Sequence, residues 1–248
     1  MKSLLKMTWM ESKLFLREPA AAFFTLIFPL LMLFIFGTIY SSAPIPGGNS
    51  AQSAIGNLIP AFSGMIIGMV GLMPVTITLA TYRENGILRR LRTTPISPLS
   101  VMAAQVIVVY VMTVLGATLL VIAGMAFYHV QFTGNVLSLL AGFTLGSLGF
   151  FGLGFVLASV MPTARTAQIV GMVLMYPMLI LSGAGWPREL MPPAILKVSE
   201  FLPLTYVVNL LSGLWNGGAW GAHVTDIIVL VAMLIAGSLI SVKLFRWE

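Results

Sequence analysis

Residues 57–98 read NLIPAFSGMIIGMVGLMPVTITLATYRENGILRRLRTTPISP. From Asn57 to Thr81 there is no charged residue, and the run exceeds the ~20 residues that a helix needs to cross a bilayer. Arg83, Arg89, Arg90 and Arg92 follow at once, and guanidinium groups at that density stop the chain from continuing through hydrocarbon. An apolar run closed by a basic loop is the repeating unit of a polytopic membrane protein.

Further uncharged runs lie outward from it, at 20–40, 100–127, 136–160, 166–186 and 224–242, so that six spans with their connections use up the 248 residues. Composition agrees. Hydrophobic residues make up 58% of the chain and charged ones 8%, whereas a soluble domain carries about 25% charged residues and needs them to cover its surface. The mean hydropathy of +1.01 belongs to the same class. The sequence predicts an all-α integral membrane protein formed by one transmembrane domain.

An even number of spans leaves both termini on one side. Lys2, Lys6, Lys13, Arg17, Arg83, Arg89, Arg90, Arg92, Arg165, Lys243 and Arg246 all fall on that side, and only Arg188 and Lys197 on the other. By the positive-inside rule the first side is the cytoplasm, which predicts a multi-pass protein of the cell membrane, of the prokaryotic inner-membrane kind. The net charge of +6 is explained by this segregation, and a nucleic-acid partner is not expected. The first apolar run is too long for a signal peptide and is read as a retained span.

Two cytoplasmic elements carry more than topology. Within residues 1–18, Lys2, Lys6, Lys13 and Arg17 fall inside an arc of roughly 60° at 100° per residue. Leu4, Leu5, Trp9, Leu14, Phe15 and Leu16 point elsewhere. That is an interfacial helix with its basic stripe toward lipid headgroups, and Pro19 bends the chain from it into the first span. In the 83–98 loop, Ile87, Leu88 and Leu91 share a helical face while Arg89, Arg90 and Arg92 lie largely off it, between Gly86 and Pro95.

On the outer side, residues 187–222 stay hydrophobic yet are divided by Pro187, Pro192, Pro193 and Pro203. The helix-like piece 204–215 is only about 18 Å long, too short to cross. Two arrangements remain open: short helices re-entering the outer leaflet, with Trp186, Trp215 and Trp220 at interface depth, or an apolar helix lying flat.

Catalytic chemistry finds no foothold. There is no cysteine, and His129 and His223 stand near outer span ends without a second ligand at metal spacing. Asp226 is expected to reach outer water. No Lys, Arg, Asp, Glu or His falls at mid-span, which disfavours an ion-coupled carrier. No lysine sits in a phosphate-binding loop, so ATP and magnesium, if used, bind another polypeptide. Within the spans, Gly64 with Gly68 and Gly142 with Gly146 form small-residue faces for close packing, and Pro29, Pro74 and Pro177 introduce kinks. Thr25, Ser63, Thr76 and Tyr176 are candidate polar contacts on a substrate path, beside Thr78, Gln105 and Tyr110.

The loop from Glu84 through Gly86, Leu88, Leu91 and Pro95 to Pro98 resembles the E-x-G-x-L-x-x-L-x-x-x-P signature of ABC-2 type exporter permeases, near those of the daunorubicin-resistance kind. The N-terminal helix, the six spans and the proline-divided outer segment follow the family order. The resemblance implies a six-span ABC-2 (type V) exporter fold in which 83–98 is a coupling helix resting on a separate ATPase subunit, with Glu84, Gly86, Leu88, Arg89, Arg90 and Leu91 as its contacts. It also implies a second permease copy, no cofactor held by this chain, and an amphiphilic drug-like or lipid-like substrate. A polysaccharide or lipid-linked glycan exporter, and in a different class an autonomous channel or carrier, are the competing readings.

Overall fold

The computed structural model describes residues 2–42, 51–87, 98–186, 188 and 191–244. It is all-helical, and no strand occurs among the described residues. Among the described residues six helices are long and apolar enough to cross a membrane: Phe23–Ser42, Gln52–Glu84, Ala103–Tyr128, Val136–Val160, Ala164–Leu181 and Trp220–Ser241, hereafter spans one to six. An N-terminal helix, Lys2–Arg17, precedes them and stops at Glu18, where Pro19 disfavours helical geometry in the residue before it.

Local chemistry sets the ends and the irregularities. Asn135 accepts hydrogen bonds from the Leu137 and Ser138 amides and so opens span four. Thr163 and Thr166 make a reciprocal capping box that opens span five. In span one, Pro29 has no amide hydrogen to give the Thr25 carbonyl, and the helix widens over Phe23–Ile27 into a π-turn in which the Phe28 amide bonds Phe23. The Thr25 carbonyl then lies only 2.7 Å from where a Cβ on Gly116 would stand, which lets span three close up against it. Span two is interrupted at Met73 ahead of Pro74 for the same reason.

Span two is the centre of the bundle. It packs on spans one, three, four and five and on the outer helix Pro203–Trp215, and Ile59, Phe62, Met65, Ile66, Ile67 and Leu72 are all but inaccessible. Lipid offers apolar side chains the same surroundings as a core does, so close dispersion contact holds such a bundle together more than water exclusion. Glycine makes that contact possible. A Cβ at Gly64 would meet Val208 at 2.9 Å, one at Gly68 would meet Leu204 at 3.1 Å, and those at Gly142 and Gly146 would meet Leu214 at 2.6 Å and Val207 at 3.2 Å. The two small-residue faces thus form the groove that receives Pro203–Trp215. Farther along span four, Gly149 and Gly152 face span six, and Gly152 approaches Gly237.

The outer segment folds as two helices, Pro193–Ser199 and Pro203–Trp215, bent by 100° at the break between them. Thr205 closes the bend by donating to the Ser199 carbonyl at 2.6 Å, and Tyr206 does the same to Glu200. Leu204 lies against Gly68, halfway along span two, while Asn216 donates to Asn57 near its beginning at 3.1 Å. Asp226 departs from the expectation that it reaches water. It is 8% exposed and pairs with His223 Nδ1 at 2.9 Å, because the short helix Trp220–His223 turns the imidazole back over the first turn of the following helix.

Candidate functional site

A cleft opens where the N-terminal helix meets the break in span two. Residues 11 and 15 are four apart, which places Glu11 and Phe15 on one side of the helix, largely opposite Lys2, and Glu18 follows just past its end. Phe15 anchors that side against Val108 and Met112 of span three. Glu11, Glu18, Thr81, Tyr82 and Gln105 border a cavity of about 240 Å³. A second cavity of about 130 Å³ lies beside it, walled by Met69, Met73, Met172 and Met175 with Phe24, Thr25 and Tyr176. Glu18, Pro74 and Ile77 line both.

The polar groups of the first cavity are poorly matched to one another. The Tyr82 hydroxyl donates to Glu11 Oε1. Burial pushes the Glu11 carboxyl above the usual carboxylate range, and the Tyr82 hydrogen bond works in the opposite direction. Gln105 is 2% exposed, and its Oε1 has no hydrogen-bond partner. A buried acceptor left unmet costs about 1–3 kcal/mol, so its retention here calls for a reason.

The structure distributes the sequence-derived path residues unevenly. Thr25 and Tyr176 share the methionine-walled cavity. Ser63 donates to the Ile59 carbonyl at 2.8 Å and borders a different, apolar cavity of about 230 Å³ with Pro60, Phe143 and Trp215. Thr76 is fully buried and donates to the Gly154 carbonyl at 3.0 Å, which makes it a packing contact between spans two and four. Glu11 was not singled out from sequence; the available signal was a carboxylate on the helix face opposite the basic stripe. Lys13 and Arg17 are exposed, and Lys13 stands 5.1 Å over the Trp9 ring. Lys2 and Lys6 fall within the helix, but their side chains lie outside the description.

At the loop, Gly86 adopts φ +65 and ends the helix Pro74–Glu84. Two contacts tie this end to the turn before span five: Arg83 donates to the Ser159 carbonyl at 3.2 Å, and Glu84 Oε2 accepts from the Ala164 amide at 2.9 Å. A carboxylate at the first amide of a helix also meets the positive end of its dipole. Glu84 therefore has a partner within the chain. Leu88, Arg89, Arg90 and Leu91 lie outside the described residues, as does Pro187. Pro192 and Pro193 open the first outer helix and Pro203 the second. Arg188 donates to Asn209 of that second helix.

A family model described as ABC-2 type transporter matches residues 2–215. The chain is 25% identical over 202 residues to the inner membrane transport permease YhhJ of Escherichia coli (strain K12), covering 77% of this chain and 53% of that protein. It is 26% identical over 168 residues to the linearmycin resistance permease protein LnrN of Bacillus subtilis (strain 168), covering 68% and 43%. Against the putative transport permease ycf38 of Cyanophora paradoxa it is 26% identical over 208 residues, covering 82% and 71%. The chain thus spans about half the length of YhhJ and LnrN.

Proposed function

The chain belongs to the ABC-2 type transporter family, and from that premise we propose that it is the permease subunit of an ATP-binding cassette exporter that moves an amphiphilic, drug-like or lipid-like molecule out of the cytoplasm or inner leaflet. The observation that carries this reading is the match of the family model over residues 2–215, which takes in the N-terminal helix, spans one to five and the outer helices of the six-span bundle. The names of the relatives, transport permeases and a resistance permease, point the same way. ATP and magnesium belong in this reading to a separate ATPase subunit, and two permease copies pair in the membrane.

Each element then has a task. The basic stripe of Lys2, Lys6, Lys13 and Arg17 holds the N-terminal helix at the cytoplasmic headgroups. Residues 83–98 form the coupling helix on the ATPase, with Glu84 and Gly86 setting its departure from span two and Leu88, Arg89, Arg90 and Leu91 meeting the partner. The proline-divided outer segment re-enters the outer leaflet; the level of Leu204, beside mid-span Gly68, supports that arrangement over one lying flat. Thr25 and Tyr176 contribute polar contacts in a cavity whose methionines adapt to differing shapes.

Purifying the tagged chain in mild detergent tests the assignment. An ATPase is expected to accompany it, with hydrolysis stimulated by hydrophobic drugs or lipids; hydrolysis by the chain free of any ATPase, or stimulation only by free sugars or small ions, would contradict it. The orientation has its own check, since the chain contains no cysteine. Single cysteines in Ser50→Cys and Arg188→Cys are expected to react with an impermeant maleimide from outside, and those in Ser97→Cys and Thr163→Cys only after the cytoplasmic face is exposed. Reversal at any one site would break the six-span topology.

A further inference from the structure

We propose that the cleft between the N-terminal helix and the break in span two is a binding site for a protonated amine carried on an apolar body, with Gln105 Oε1 and the Glu11 carboxylate accepting its N–H groups. This deepens the exporter reading by naming the substrate class, and it rests on that reading for the site's place on the transport path.

Three observations converge. Gln105 borders the cavity, is 2% exposed, and its buried Oε1 has no donor to satisfy it. Glu11 offers a second set of acceptors: Tyr82 occupies Oε1, and no hydrogen bond from a described residue reaches Oε2. Among the described residues the charge is of one sign, since Glu11 and Glu18 are the charged side chains lining the two cavities. A site of unmet acceptors and carboxylates repels an anion, gives a neutral body only its walls, and satisfies an ammonium in both charge and hydrogen bonding. The apolar remainder of the ligand has a place as well, because Pro74 and Ile77 continue into the methionine-walled cavity. A quaternary ammonium supplies the charge without a donor and leaves Gln105 unmet, which sets it apart from a primary amine.

The same ammonium chemistry is carried by soluble amphiphilic amines and by the headgroup of phosphatidylethanolamine. The test places the full chain in nanodiscs of phosphatidylcholine and phosphatidylglycerol and measures radiolabelled dodecylamine against empty discs. Saturable binding is expected, weakened about ten-fold or more by Gln105→Met and by Glu11→Gln. Dodecyltrimethylammonium is expected to compete less well than dodecylamine, and dodecyl sulfate not at all. Gln105→Met keeps the length of the side chain and removes the unmet acceptor, so the unliganded variant is expected to melt higher than the parent while dodecylamine raises its melting temperature less. Replacing phosphatidylcholine by phosphatidylethanolamine separates the sources: reduced dodecylamine affinity identifies the lipid headgroup as a competing occupant, and unchanged affinity identifies the free amphiphile. Binding by both variants within about two-fold of the parent, or equal competition by dodecyl sulfate, overturns the proposal. The assay contains no ATPase, so its failure leaves the exporter reading standing, and a chain that purifies without an ATPase leaves this binding result standing.

Discussion

Gly154→Val is expected to leave little monodisperse protein after detergent extraction. A Cβ at position 154 would sit 2.2 Å from the Gly71 carbonyl oxygen and 3.2 Å from Val75. The first of these is backbone and cannot swing aside as a side-chain end would. Gly71 is itself pressed against span four, where its own Cβ would meet Phe150 at 2.7 Å, and Thr76 bonds the Gly154 carbonyl at 3.0 Å. Spans two and four therefore approach each other backbone to backbone beside the Pro74 break, and relief requires the central helix of the bundle to move. Overpacking of this kind reaches about 3 kcal/mol or more, and it would also distort the cleft bordered by Pro74. Gly221→Val, at a position with nothing within 4 Å, serves as the control and is expected to elute as the parent does. Size-exclusion profiles and melting curves decide the matter; a parent-like profile for Gly154→Val would show that the two spans do not cross this closely.

Leu88→Asp is expected to strip the ATPase from the purified complex while leaving insertion intact. The sequence puts Leu88 on the apolar face of the loop helix with Ile87 and Leu91. Burying such a leucine in a partner's groove contributes roughly 1.5–3 kcal/mol, and an aspartate there adds the cost of desolvating a carboxylate. The ratio of ATPase to permease should fall about ten-fold or more. The loop base should hold its place, because Arg83 bonds Ser159 and Glu84 bonds Ala164 independently of residue 88. Tandem affinity purification with quantitative blotting reads the ratio. An unchanged ratio with unchanged stimulated hydrolysis would remove the loop from the mechanism.

The six-span frame was legible because membrane insertion is decided by runs of composition, and composition is local. Lys and Arg segregation checks those runs. What packs against what is a different matter. Gly64, Gly68, Gly142 and Gly146 announce a close approach, yet only the folded chain reveals that the approaching element is Pro203–Trp215, far away in sequence. Asp226 was misjudged for a related reason. Its partner His223 is near in sequence, but the tight turn of Trp220–His223 that aims the imidazole leaves no periodic signal.

The cleft shows the same division. Gln105 looked like one of several scattered polar residues in apolar spans, and Glu11 like part of a charged terminal helix. Their meeting depends on Pro74 breaking span two and on Phe15 docking the helix against Val108 and Met112, two tertiary events. The helical period contained half the information, since Glu11 and Phe15 turn away from the basic stripe together. It could not identify the facing wall.

The central claim, that this chain provides the membrane path for an ATP-driven exporter, is tested most directly in inside-out vesicles containing the chain and the ATPase that purifies with it. A fluorescent amphiphile is supplied outside, with ATP or a non-hydrolysable analogue. Accumulation inside the vesicles is expected with ATP and none with the analogue. An assembled complex that hydrolyses ATP yet accumulates no amphiphile, or equal accumulation in vesicles without the ATPase, would contradict it.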